Sequence, residues 1–137
     1  MTCSSNVLRA DDLIVNRILE ININSSINPA TYNFLKSAYL KAKDENVKII
    51  LIKLNTPGGY ISTTKKILTL FGESDIISAV WITPEGASAT SAGAIIASGA
   101  HILVMNEGTN IGAATPIQMQ GNIENTDMKR KVINDLV

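Results

Sequence analysis

The sequence predicts an α/β fold with a mainly parallel sheet. Strand-like and helix-like segments alternate along the chain, the pattern of βα units. Residues 47–54 (VKIILIKL) are β-branched and nearly all apolar, which suits an inner strand covered on both faces. Two of the strand-to-helix junctions carry glycine, one at Pro57-Gly58-Gly59 and one in the small-residue stretch around Ser91. In a parallel sheet both junctions lie at the carboxyl ends of strands, the edge where such folds place their sites.

The elements follow in order. Residues 1–12 read as a polar leader with little part in the fold, and residues 13–137 as a single domain. Leu19 to Asn24 alternate apolar and polar, a half-buried strand beginning near Val15. Asn28 is a helix N-cap with Pro29 at the first helical position. That helix is expected to run to about Glu45, with Leu35, Ala38, Tyr39 and Ala42 on its inner face. A second helix is expected from about Tyr60 to Phe71, with Ile61, Thr64, Leu68 and Phe71 facing inward and Gly72 as its stop. Residues 76–83 form another buried strand, followed by the Ser91 helix, which Gly99 ends. Residues 102–105 (ILVM) are a short strand, 106–121 read as loop, and 127–137 permit a helix. Crossovers between parallel strands should be right-handed.

Composition excludes several function classes. Hydrophobic residues are 45% and charged residues 18%, an ordinary globular balance. The formal net charge is +0, so there is no electrostatic footprint for nucleic acid. One cysteine, Cys3, allows no internal disulfide, and with a single histidine it makes no metal-ligand cluster, so no metal or cofactor is expected. No secretory signal or membrane-spanning apolar run is visible, so the chain reads as soluble.

The stretch 84–99 (PEGASATSAGAIIASG) holds almost nothing larger than a hydroxymethyl group apart from Ile95 and Ile96. Such a helix can approach other backbone closely, and Thr90 or Ser91 can cap its first turn. A serine at a helix N-terminus sits among unpaired N–H groups, a place to stabilise an oxyanion. A tightly packed core helix fits the same residues, and an ordinary tight turn fits Gly58-Gly59. The esterase elbow G-x-S-x-G is not matched, because position 89 is Ala89. Ser88 and Ser98 compete with Ser91 for the role of nucleophile. His101, the only histidine, starts a strand at the far end of the Ser91 helix and belongs at the opposite edge of the sheet.

Taken together, Thr56-Pro57-Gly58-Gly59, then Pro84-x-Gly86-Ala87-Ser88-Ala89-x-Ser91-Ala92-Gly93 with His101, then Gly108-Thr109-x-Ile111-Gly112-Ala113, resemble the NfeD-type membrane-bound serine proteases. These belong to the ClpP and signal-peptide-peptidase SppA superfamily. The likeness runs from about residue 15 to 137, with its three motifs in order. It implies a ClpP/crotonase-like fold of repeated ββα units and Ser91 as nucleophile. It implies an oxyanion hole from the backbone N–H of Gly59, of Ala92 and also of Gly58. It implies a Ser-Lys dyad, with the lysine in Lys131-Val132-Ile133-Asn134, and a homodimer or larger homo-oligomer. In related archaeal proteins the substrate is the hydrophobic C-terminal region of a partner stomatin, and family members are membrane-associated.

A base lysine must be desolvated to be neutral at working pH, and burial against the loop around Ile111 is the expected source. Without the resemblance Lys131 would read as a solvated helix-face lysine. Against the family pattern the domain is C-terminally short, with six residues after Lys131, and carries no signal sequence or membrane helix. The expectation is therefore a serine endopeptidase acting on an apolar segment of a membrane partner. The alternatives are a truncated, inactive interaction module and an acyl-CoA hydratase or isomerase of crotonase type, for which Glu85 and Glu107 are the nearby acids.

Overall fold

In the computed structural model of the chain, residues 2–10 and 13–112 are described, with their side chains from residue 17 onward. The elements are strands β1 (Thr2–Ala10) and β2 (Leu13–Ile23), helix α1 (Pro29–Asp44), strand β3 (Ile49–Leu54), helix α2 (Ile61–Glu73) and strands β4 (Ile77–Ile82) and β5 (Ser88–Thr90). Helix α3 (Ala92–Gly99) and strands β6 (Ile102–Met105) and β7 (Asn110–Gly112) complete them. The main sheet has the order β1-β2-β3-β4-β6, and every pairing in it is parallel except the antiparallel β1–β2 pair. This is the α/β, mainly parallel architecture that the alternation of elements predicts. Residues 2–10, read from the sequence as leader, are strand β1 here.

Helix α1 begins where local chemistry demands it. The Asn28 side chain accepts the Thr31 N–H, and Thr31 Oγ1 accepts the Asn28 N–H, so two otherwise orphaned donors are satisfied reciprocally. Leu35, Ala38, Tyr39 and Ala42 are all buried, as their spacing predicts. Helix α2 differs from expectation at its start and end. Its buried face is Thr63, Thr64, Ile67 and Phe71, while Ile61 is 50% exposed and Leu68 only half-buried. Gly72 lies inside the last turn and does not end the helix.

The three helices of the described residues pack on one face of the sheet. Leu19, Ile21, Ile23, Ile50, Ile52, Leu54, Val80 and Ile82 share a single core with the inner faces of α1, α2 and α3. Strand β3 therefore alternates between buried and half-buried positions, where its apolar composition had suggested cover on both faces. On the half-buried face Lys53 pairs with Glu20 across the strands and lies over the Trp81 ring at 5.4 Å.

The register aligns the carboxyl ends of the strands. Ile23 is opposite Leu54, and Leu54 opposite Ile82, which is opposite Met105. The loops that follow these residues share one edge of the sheet. Across that edge runs a second small sheet, β5 parallel to β7, a pairing that the sequence did not announce.

Candidate active site

The site is assembled from the turn after β3 and the turn after β5. Thr56 bridges in parallel to Ala89, and Gly59 bridges in parallel to Ile27. The Gly58-Gly59 turn is thereby held between the β2–α1 loop and the β5–α3 junction. Ile27 N–H donates to the Gly58 carbonyl at 2.7 Å, and Tyr60 N–H donates to the Ile27 carbonyl at 3.0 Å. In a trans peptide the N–H points opposite to the C=O, so the Gly59 N–H points away from Ile27.

Gly58 has φ +117°, a left-handed value, and a Cβ on it would stand 2.8 Å from Ser91 Cβ and 3.3 Å from Ala92 N. No side chain fits there. A Cβ on Gly59 would meet the Ile27 carbonyl oxygen at 1.9 Å. The two glycines let one backbone lie directly against another, which ordinary turn chemistry alone would not require.

Ser91 joins β5 to α3 with φ 55° and ψ −119°, a strained conformation for a residue with a Cβ. The Ser91 N–H donates to the Gly112 carbonyl at 3.0 Å, and the Ser91 carbonyl accepts from Ala94 N–H at 3.0 Å. Its side chain makes no capping bond to α3 and is half-buried. The geometry is that of a nucleophile elbow, a sharp strand-to-helix turn presenting one hydroxyl. The elbow signature asks for glycine two residues before and after the serine. Here Ala89 and Gly93 take those places, and a Cβ on Gly93 would stand 3.5 Å from Ala89 Cβ. Alanine is small enough on one side because glycine stands on the other.

Among the described residues, neither the Gly59 N–H nor the Ala92 N–H has a hydrogen-bond partner. The Gly58 N–H does: it donates to Thr56 Oγ1 at 3.1 Å. Ser88 lies within β5 with its N–H on Asn55 Oδ1 at 3.0 Å, and Ser98 is exposed near the end of α3. His101 is at the opposite edge, where its Nδ1 accepts the Ser78 N–H at 3.0 Å. Lys131 lies outside the described residues. Sequence reasoning quoted Thr56 in a motif without giving it a role. The available signal was a threonine two residues before a glycine, the spacing of a side-chain-to-backbone turn.

The sequence matches the NfeD1b N-terminal domain family over residues 17–134. The chain belongs to that family. It is 36% identical over 105 residues to the membrane-bound protease PH1510 of Pyrococcus horikoshii, covering 77% of this chain and 24% of that protein. The chain thus spans about a quarter of the length of that relative. Among solved structures, the 1510-N membrane-bound stomatin-specific protease, as a lysine-to-alanine variant in complex with a substrate peptide, superposes with TM-score 0.71 at 31% identity. The match covers 87% of this chain and 58% of that one. ClpP1 of Listeria monocytogenes, in a variant form, superposes with TM-score 0.62 at 20% identity, covering 84% of this chain and 64% of that one, which shows a shared fold. The family and the ClpP-like fold implied by the motifs are those found.

Among the described residues, no three of His, Cys, Asp and Glu come together so as to hold a metal ion, and no helix is long and apolar enough to cross a membrane.

Proposed function

We propose that this chain is the peptidase part of a Ser-Lys serine protease of the NfeD type, acting on an apolar segment of a stomatin-like membrane partner. The observation that carries the reading is the elbow itself: Ser91 held at φ 55°, ψ −119° between β5 and α3, with Gly58 pressed against it. A strained backbone at one half-buried hydroxyl is a cost that a packing role does not call for.

In this mechanism Ser91 Oγ attacks the scissile carbonyl as Lys131 Nζ takes its proton. The Gly59 and Ala92 N–H groups donate to the oxyanion that forms. The tetrahedral species collapses, the C–N bond breaks, and the leaving amine takes the proton back from Lys131. Water then attacks the acyl ester, giving its proton to Lys131, and Ser91 is released as the hydroxyl. Gly58 contributes space more than a donor, since its N–H already serves Thr56. The relatives support the reading: one is named a protease, and the structure with a lysine changed to alanine holds a substrate peptide. Assembly as a dimer or larger oligomer belongs to the same proposal.

A fluorophosphonate probe tests it. Wild-type chain and Ser88→Ala should label, and Ser91→Ala should not. Lys131→Ala should slow labelling at neutral pH. Labelling that survives in Ser91→Ala and vanishes in Ser88→Ala would overturn the assignment, while no labelling at all would favour the inactive module.

A further inference from the structure

Thr56 touches both of the turns that make the site. It is 1% exposed and follows β3 at the head of the Gly58-Gly59 turn. Its backbone is shared with β5: the Thr56 N–H donates to the Ser88 carbonyl at 2.7 Å, and the Thr90 N–H donates to the Thr56 carbonyl at 3.2 Å. Its side chain works in two directions. Oγ1 accepts the Gly58 N–H at 3.1 Å. The methyl group fills the space beside Gly93, where a Cβ would come within 2.4 Å of Thr56 Cγ2. Thr90 Oγ1 adds a tie across the same gap, donating to the Pro57 carbonyl at 3.0 Å.

We propose that Thr56 is the positioning residue of this site: its hydroxyl orients the Gly58-Gly59 turn and its methyl seats the first turn of α3. The proposal rests on the reading of Ser91 as nucleophile. Gly58 is buried, and a buried N–H without an acceptor costs about 1–3 kcal/mol. The hydroxyl therefore holds the peptide before Gly58 in one orientation, and the Ile27 bond to the Gly58 carbonyl holds the next. Together they set the direction of the Gly59 N–H. Since Gly93 belongs to α3, the methyl of the same residue sets the distance between that N–H and the Ala92 N–H. Thr56 reaches no reacting atom in this arrangement; it acts through the two turns.

Two substitutions separate the hydroxyl from the methyl. Thr56→Val keeps shape and methyl, and Thr56→Ser keeps the hydroxyl. With a fluorophosphonate probe on the full chain, Thr56→Val should lower the maximal inactivation rate roughly 10–100-fold with little change in probe affinity, since displacing an oxyanion donor acts on the transition state. Thr56→Ser should lose less, about threefold to tenfold, because it keeps the hydroxyl that orients the Gly59 N–H but gives up the methyl that seats the first turn of α3. A wild-type rate in Thr56→Val overturns the proposal, and so does a Thr56→Ser as slow as Thr56→Val. Amide exchange gives a readout that needs no variant: the Gly58 N–H should exchange slowly in the wild-type chain, and fast exchange there refutes the hydrogen bond on which the role depends. Ser91→Ala is run beside them. Labelling that persists in Ser91→Ala refutes the nucleophile reading, whereas labelling lost in Ser91→Ala with a wild-type rate in Thr56→Val refutes the positioning role alone.

Discussion

Among the described residues, two other than glycine have positive φ. Asn46, at φ 56°, is exposed just past α1, and asparagine tolerates the left-handed region. Ser91 has no such excuse: at φ 55°, ψ −119° its Cβ is strained, at a cost of about 1–3 kcal/mol. Glycine relieves that strain and alanine does not. Ser91→Gly is therefore expected to gain about 1 kcal/mol of stability over Ser91→Ala, with labelling lost in both. Urea unfolding of the two variants measures the difference, and equal midpoints would mean that no strain is stored at the turn. Gly58 shows the converse. Its φ of +117° and the 2.8 Å approach to Ser91 Cβ leave no room for a methyl group. Gly58→Ala should lower the fluorophosphonate rate by about 100-fold or more, because an ångström of displacement at a preorganised site costs about that much. A near-normal rate would show that the turn can yield without disturbing Ser91.

Elements carry the next level of constraint. Helix α3 is short and, apart from Ile95 and Ile96, made of small residues, so that its first turn can lie against Thr56; its buried positions include Ala92, Gly93, Ala94, Ile96 and Ala97. A methyl group at 93 must push Thr56 or the helix aside, since 2.4 Å is far inside contact distance. Gly93→Ala is expected to cost about 1–3 kcal/mol, the usual penalty of overpacking. It should slow labelling as well, because α3 carries the Ala92 N–H. Thermal unfolding read beside the labelling rate checks both, and a fully stable Gly93→Ala would contradict the close packing described here. Helix α1 is different in kind. Its reciprocal cap through Asn28 and Thr31 is local, and Asn28→Ala should cost about 1 kcal/mol with labelling unchanged.

At the scale of the whole molecule, helices α1, α2 and α3 cover one face of the sheet among the described residues, and a polar contact crosses that core. The Tyr39 hydroxyl on α1 bonds the Ser78 hydroxyl on β4, with Tyr39 stacked on Phe71 of α2 at 6.2 Å between centroids. Burial pushes the Tyr39 hydroxyl up from 10.0 to about 12, partly opposed by the bond to Ser78. The folded chain therefore keeps this proton where the unfolded chain releases it. The associated stability is complete below pH 10 and is lost as pH rises towards 12. A shift of this size corresponds to a contribution on the order of 2 to 3 kcal/mol. Alkaline titration of stability should fall over that window in wild type and flatten in Tyr39→Phe. A Tyr39→Phe protein with the same alkaline slope would assign the loss to other groups.

Much of this was readable in the residues alone. The α/β class followed from alternating periodicities, the α1 cap from Asn28-Pro29, and the buried face of α1 from its spacing, because each depends on neighbours a few positions apart. The family followed from motifs in fixed order. What depends on contacts distant in the chain was not readable. The face of α2 departs from its spacing at Ile61, which is 50% exposed in the first turn while Thr63 and Thr64 are buried. Strand β5 has no local signal because it pairs with β7, more than twenty residues later. The elbow at Ser91 has no glycine at position 89 to announce it, and in the fold it is bordered by Gly58 on one side and bonded to the Gly112 carbonyl on another. Local sequence thus determined the three helices and the inner strands among the described residues, and which residues were candidates, but not β1, β5 or β7. Tertiary packing alone decided that, among the described residues, the Gly59 and Ala92 amides have no hydrogen-bond partner, since a hydrogen bond between residues dozens of positions apart leaves no period in the chain.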